Sequence, residues 1–121
     1  MSRRAAETHG RRSEAVAALF LQLKGYRILD RRVRTPLGEI DLVARRGDAL
    51  VFVEVKARDD LSDAAAAIAP ERMRRVARAA NLLLARYMKT CASARIDAII
   101  VARRRLPIHL KAVVDGDWRS L

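Results

Sequence analysis

Gly38-Glu39-Ile40-Asp41-Leu42-Val43-Ala44 and Leu50-Val51-Phe52-Val53-Glu54-Val55-Lys56 set Asp41, Glu54 and Lys56 into two otherwise apolar runs of strand length. Between the runs, Arg45-Arg46-Gly47-Asp48-Ala49 has a Gly-Asp centre suited to a tight hairpin turn. With Gly47 and Asp48 as the two turn residues, Arg46 pairs with Ala49, Val43 meets Phe52 and Asp41 meets Glu54. A four-residue loop keeps this pairing, while three or five residues would slip the register by one and send one carboxylate to the opposite face. Opposed like charges destabilise a sheet, so the Asp41/Glu54 pair calls for a cation. Lys56, two residues beyond Glu54, points to the same face. Two hard oxygen ligands beside an ammonium group fit a Mg²⁺ or Mn²⁺ site that handles phosphate esters. In the same register Glu39 neighbours Lys56, which predicts a structural ion pair.

The remaining elements must hold that hairpin, and the pattern predicts the order α-β-β-β-α-β-β. Val16, Leu19, Phe20 and Leu23 recur at helical spacing in a first helix over about 9–24, with Gly25 as its stop. Residues 1–8 are set apart as a flexible arm and 9–121 as a single domain. Tyr26 to Arg34 reads as the first strand, closed by the Thr35-Pro36-Leu37-Gly38 turn. Leu50 to Val53, apolar on both faces, reads as a central strand covered on both sides. The stretch from Asp59 to Ala69 reads as a loop or a short helical turn. Pro70 opens a second helix whose core stripe is Met73, Val76, Ala77, Ala80, Leu83, Leu84 and Tyr87. Away from that stripe lie Arg72, Arg74, Arg75, Arg78 and Arg86, either a solvated face or a nucleic-acid surface. Ile96 to Ala102 and Ile108 to Val114 read as two more strands, joined by the basic turn Arg103-Arg104-Arg105.

Composition narrows the partners. The 121 residues suffice for one domain and one core. With 25 Lys+Arg against 14 Asp+Glu, the net charge of +11 attracts polyanions, nucleic acid or an acidic membrane face. Aromatics are 4% of the chain, which disfavours single-strand binding by base stacking and favours recognition of backbone on duplex or branched nucleic acid. Cys91, the one cysteine, cannot form an internal disulfide, and no Cys/His cluster has zinc spacing. A reducing cytoplasm is the simplest location. Arg3, Arg4, Arg11 and Arg12 ahead of the apolar Ala15 to Leu21 imitate a signal peptide, but Glu14, Gln22 and Lys24 and the lack of a cleavage pattern after the run argue against one. No stretch is long enough to span a bilayer.

A helix, three strands with G-E-I-D-L in the second and V-E-V-K in the third, then a helix opened by A-x-A-P and an R-x-D-x-x-x-V strand, resembles the YraN family of small bacterial proteins from about Gly10 to Trp118. That family is similar to the Holliday-junction resolvase branch of the restriction-endonuclease-like, PD-(D/E)xK superfamily. The resemblance implies a mixed α/β fold with a restriction-endonuclease-like core, its mixed sheet flanked by helices. It places the motif aspartate on Asp41, the E-x-K on Glu54, Val55 and Lys56, and the first-helix glutamate on Glu14. It further implies a metal-dependent, nuclease-like protein that binds structured or branched nucleic acid. Asp41, Glu54 and the Val55 carbonyl would hold Mg²⁺, with Glu14 an outer ligand through water and Lys56 acting on the attacking water or the phosphorane. Arg72, Arg74, Arg75 and Arg78 would face the nucleic acid, and a homodimer would match a junction's two equivalent strands. Two positions depart from the family pattern: Val33, where tryptophan is usual, and Met73, where a glutamine beside the active site is usual.

Glu14 has a second reading. Its neighbours Ala17, Ala18 and Leu21 form an apolar row opposite the Val16/Leu19/Leu23 stripe, so a covered glutamate needs a partner, which Arg11 or a strand arginine would supply as well as a metal centre. His9 and His109 stand isolated in sequence and receive no role. Two rival functions use the same fold: a catalytically silent nucleic-acid-binding module, for which Met73 speaks, and an adaptor that meets a protein partner with its acidic notch and arginine faces. Steep salt dependence and a preference for junction over duplex would separate nucleic-acid binding from the adaptor.

Overall fold

The computed structural model of the chain describes residues 3–59, 68–114 and 118. Around the Gly47-Asp48 turn, β2 (Gly38–Arg46) and β3 (Ala49–Arg58) form an antiparallel hairpin in which Arg46 pairs with Ala49 and Val43 with Phe52. Gly47 sits at φ 59 in the first turn position, where a II′ turn takes glycine because residues with a side chain rarely adopt that φ. The even loop therefore sets the register expected from the sequence. Ahead of the hairpin come α1 (Arg3–Leu23) and β1 (Arg27–Thr35), and after it α2 (Pro70–Tyr87), a 3₁₀ turn, β4 (Ser93–Ala102) and β5 (Ile108–Leu110). The five strands lie in the order β1-β2-β3-β4-β5, with β3 and β4 parallel and the other neighbours antiparallel. This is a mixed α/β fold in the element order the pattern predicts.

One helix covers each face. Ala17, Ala18 and Leu21 of α1 bury against Leu42, Ala44, Val51, Val53 and Ile99. Met73, Val76, Ala77, Ala80 and Leu83 of α2 bury against Val43, Leu50, Phe52 and Ile96. Along β3, Leu50 and Phe52 belong to the α2 side and Val51 and Val53 to the α1 side, as befits a central strand covered twice. The segment from Asp59 to Ala69, read as a loop or short turn, lies mostly outside the described residues.

The two helices differ in how well their periodicity foretells the buried face. The α2 stripe is buried as expected from Met73 to Leu83 and half-buried at Leu84 and Tyr87, while α1 turns the other way: Val16, Leu19 and Leu23 are 43%, 57% and 79% exposed. Two apolar rows compete on α1, and the row of small side chains lets the helix approach the sheet, whose own Leu42, Val53 and Ile99 fill the space. The helix also begins at Arg3 and takes in residues 3–8, which the sequence pattern sets apart as an arm; Gly10 mimics a boundary because glycine is a poor helix former. Leu19→Gln should accordingly change the unfolding free energy by no more than about 0.5 kcal/mol, in urea denaturation, and a loss of several kcal/mol would place that row in the core. β5 ends at Leu110, short of the expected Val114, because Ala112 turns to φ 52 and Val113 N–H donates to the Ile96 carbonyl at 2.8 Å.

Candidate functional site

The β2/β3 ladder runs regularly from the turn to the Leu42/Val53 pair, and the next step would set Asp41 opposite Glu54. There the strands part. Val55 N–H, which a continuing ladder would commit to the β2 backbone, instead donates to Asp41 Oδ2 at 2.8 Å. Because a strand residue presents N–H and C=O to the same neighbour, the Val55 carbonyl leaves toward the same gap. Side-chain alternation breaks at this step as well: Leu42 is buried under α1 and Ile40 under α2, although residues two apart on a regular strand share a face. The partner strand breaks with it, since Arg31 pairs with Leu42 and Val33 with Ile40 while Arg32 between them sits at φ 52. A left-handed non-glycine residue costs about 1 kcal/mol, and such strain concentrates at functional positions.

Glu54 is the buried member of the pair, with its side chain 4% exposed. Its Oε1 accepts from Arg72 Nε at 2.8 Å and lies 3.1 Å from Lys56 Nζ. Asp41 Oδ2 accepts the Val55 N–H and, among the described residues, has no ion pair within 4 Å. Burial and the charge of Glu54, with a smaller push from Glu14, raise the Asp41 carboxyl to about 7 against the opposing Val55 N–H and Lys56. Asp41 is thus the carboxyl of the pair that burial and its charged neighbour push toward the protonated form. The two carboxylates line an open notch of about 550 Å³ whose walls are the Pro36–Glu39 turn and the Arg72, Arg75 and Arg78 side of α2.

Two carboxylates that cannot both ionise comfortably, with a backbone carbonyl beside them, form a hard-oxygen donor set suited to a small divalent cation that keeps several waters. Among the described residues no three carboxylate, imidazole or thiol side chains converge, so such an ion would have two protein carboxylates. Glu14 does not line the notch. Arg32 Nε donates to both of its oxygens at 2.8 and 3.1 Å, and the pair borders a separate hollow with Arg11 and Arg31. The strand arginine is thus its partner, though its charge still reaches Asp41.

Other expectations shift in detail. Glu39 pairs with Arg34 across β1/β2 at 3.5 Å, and Lys56 turns to Glu54 instead. Arg72, Arg75 and Arg78 face the notch, whereas Arg74 is exposed but is not part of its wall. Met73 packs in the α2-side core together with Val33, so the two positions that depart from the family pattern share one cluster, and Met73 brings no side chain to the notch wall.

A second ionisable cluster lies outside the sequence motifs. Asp97, fully buried on β4, accepts from Arg95 Nε at 2.9 Å and Ala112 N–H at 3.0 Å and lies 2.7 Å from His109 Nε2. Burial opposes its ionisation, but His109, Arg95 and the Ala112 N–H overcome this and hold it below the usual carboxylate range. Lys24 Nζ lies 2.7 Å from His109 Nδ1, which ties the end of α1 to β5. The signal for this cluster is an aspartate inside the apolar run Ile96-Asp97-Ala98-Ile99-Ile100, a position that requires partners.

A family model described as uncharacterised protein family UPF0102 matches residues 13–101, a span holding Asp41, Glu54, Lys56 and all of α2. The chain is similar to a UPF0102 protein of Sphingopyxis alaskensis, 52% identical over 110 residues that cover 91% of this chain and 95% of the relative. It is similar as well to a UPF0102 protein of Rhizorhabdus wittichii, 50% identical over 117 residues that cover 96% and 99% of the two chains.

Proposed function

The chain belongs to UPF0102, a family described only as uncharacterised, and we propose that it is a metal-dependent, nuclease-like protein that binds structured nucleic acid at the Asp41/Glu54 notch. The observation that carries this reading is a carboxylate raised to about 7 beside a second, buried carboxylate, at the foot of an arginine-bearing helix. A structural ion pair would need only Glu54 and its two cations. Asp41 adds a second desolvated carboxyl beside Glu54, an arrangement that costs stability and concentrates at functional sites. The parted strands, with their E-x-K after an aspartate, are what a restriction-endonuclease-like core would use.

In this reading Asp41, Glu54 and the Val55 carbonyl hold Mg²⁺ or Mn²⁺, which supplies Lewis acidity at the phosphate when bound. Lys56, its side chain 12% exposed, stays close enough to orient the attacking water or to meet charge developing on phosphorus. Arg72 is 57% exposed in its side chain and balances Glu54 at the notch mouth, where it can turn to a phosphate. Arg75 and Arg78 extend the basic wall along α2 toward the flanking backbone. The buried Met73 favours a second reading, a silent binding module, because no polar side chain from that helix position reaches the notch.

The test is cleavage and binding of labelled four-way junction, flap and duplex DNA and of structured RNA, in Mg²⁺ and Mn²⁺. Replacing Arg75 and Arg78 together by Gln should weaken binding and make the salt slope shallower by about 2, one unit for each phosphate no longer neutralised. Unchanged affinity and slope would reduce that side of α2 to a solvated face. Tight binding without cleavage of any substrate would select the silent module.

A further inference from the structure

A second concentration of positive charge lies on the opposite side of the sheet. Arg12 on α1, Arg58 at the end of β3 and Arg103, Arg104 and Arg105 after β4 line a hollow of about 690 Å³ in which Asp59 is the one acidic wall residue among the described residues. Among the described residues none of these five guanidiniums pairs with a carboxylate. They therefore repel one another, and an anion with several charged oxygens would relieve that repulsion; the planar fork of arginine suits phosphate oxygens bidentately. Arg104 stands at φ 57, a conformation that glycine adopts at no steric cost, so the turn spends about 1 kcal/mol to present three successive arginines.

The hollow belongs to the α1 layer, because Arg12, Ser13 and Val16 form one wall and Val101, of the α1-side cluster, forms another. The notch belongs to the α2 layer, yet β3 reaches both: Glu54 lines the notch, and Arg58, about 13 Å of strand beyond Glu54, lines the hollow. A single backbone could touch both layers only by folding around the strand ends. Two backbones separated by a groove can do so directly. We propose that Arg12, Arg58 and Arg103–Arg105 form a second phosphate track for duplex nucleic acid, so that one strand enters the notch while its complement lies in this hollow. The inference rests on the nucleic-acid reading of the notch and adds the form of substrate, double-stranded at the site, and the surface that senses it.

Fluorescence anisotropy on a labelled duplex and on its single strand, across a salt series, tests this with two variants. The first carries Arg103→Gln, Arg104→Gly and Arg105→Gln, where the glycine relieves the strained φ and so guards the fold; the second carries Arg12→Gln and Arg58→Gln on other elements. Both should lose about tenfold or more in duplex affinity, the turn variant with a salt slope shallower by about 2 to 3, while single-strand affinity changes less than about twofold. Equal losses on duplex and single strand, or no loss on either, overturn the second track. If those variants are silent while Arg75→Gln/Arg78→Gln weakens binding, the track fails and the notch reading stands; if all variants are silent, the nucleic-acid reading falls too. Loss of binding to phosphatidylglycerol vesicles with duplex binding intact would overturn the proposal in favour of a membrane surface.

Discussion

Lys56→Ala should lower Mg²⁺-dependent cleavage by about two orders of magnitude or more, while nucleic-acid affinity stays within a few-fold. The asymmetry follows from where the charge acts. Lys56 Nζ is held 3.1 Å from Glu54 in a side chain only 12% exposed, so under the proposed function it would meet charge developing at the phosphate in a partly desolvated site. Removing one preorganised electrostatic group of this kind costs about 10²- to 10³-fold in turnover. Ground-state attraction, in contrast, is spread over a chain of net charge +11, of which one lysine is a small share. The split between turnover and binding is the signature, read as kcat against KM in single-turnover and steady-state assays. Cleavage that survives undiminished in the variant would assign the activity to a contaminant and remove Lys56 from the mechanism.

Asp41→Asn should stabilise the metal-free protein, and the gain should grow with pH. Folded Asp41 keeps its proton up to about 7, whereas in the unfolded chain it releases it near 3.8. Its raised value contributes stability that is complete below about 3.8 and is lost as the pH rises through about 7. Asparagine has no such loss and still offers an oxygen to the Val55 N–H. In EDTA, the difference in unfolding free energy between variant and wild type should therefore widen by on the order of 2 kcal/mol from pH 5 to pH 8. A difference that stays constant over this window would mean that Asp41 is ionised throughout and that the repulsion at the notch is relieved some other way.

The hairpin is legible in the sequence as far as the Leu42/Val53 pair because a two-residue Gly-Asp turn permits one register; the expected Asp41/Glu54 pairing does not form, since the ladder stops there and Asp41 accepts the Val55 N–H instead. The second helix is legible because only one of its faces is apolar. The first helix is not, since its alanine row and its leucine row fit the same period, and close packing against a filled sheet surface selects the smaller side chains. That selection also orients Glu14 toward Arg32, one of the strand arginines that the sequence offers as its partner; which of them it is depends on a left-handed residue inside β1. Arg72 as the partner of Glu54 depends on how α2 lies over the sheet, 18 residues along the chain. His109 looks isolated in sequence for a similar reason: β5 pairs with β4, setting it against the buried Asp97. Where a pair is local or in a turn-defined register, sequence spacing suffices; where a helix must be docked or a strand kinked, packing decides.

Whether the parted strands bind a divalent cation through Asp41 decides between a metal site and a merely strained hairpin. Calorimetric titration of Mn²⁺ and of Mg²⁺ into wild type and Asp41→Asn at pH 7, repeated in buffers of different ionisation enthalpy, answers it. Because Asp41 is then about half protonated, metal binding should expel about half a proton, making the observed heat depend on the buffer. One binding event with that buffer dependence is expected in wild type, and affinity at least about tenfold weaker, without proton release, in Asp41→Asn. No binding by wild type, or the same affinity and proton release in both proteins, would rule out a cation held by Asp41.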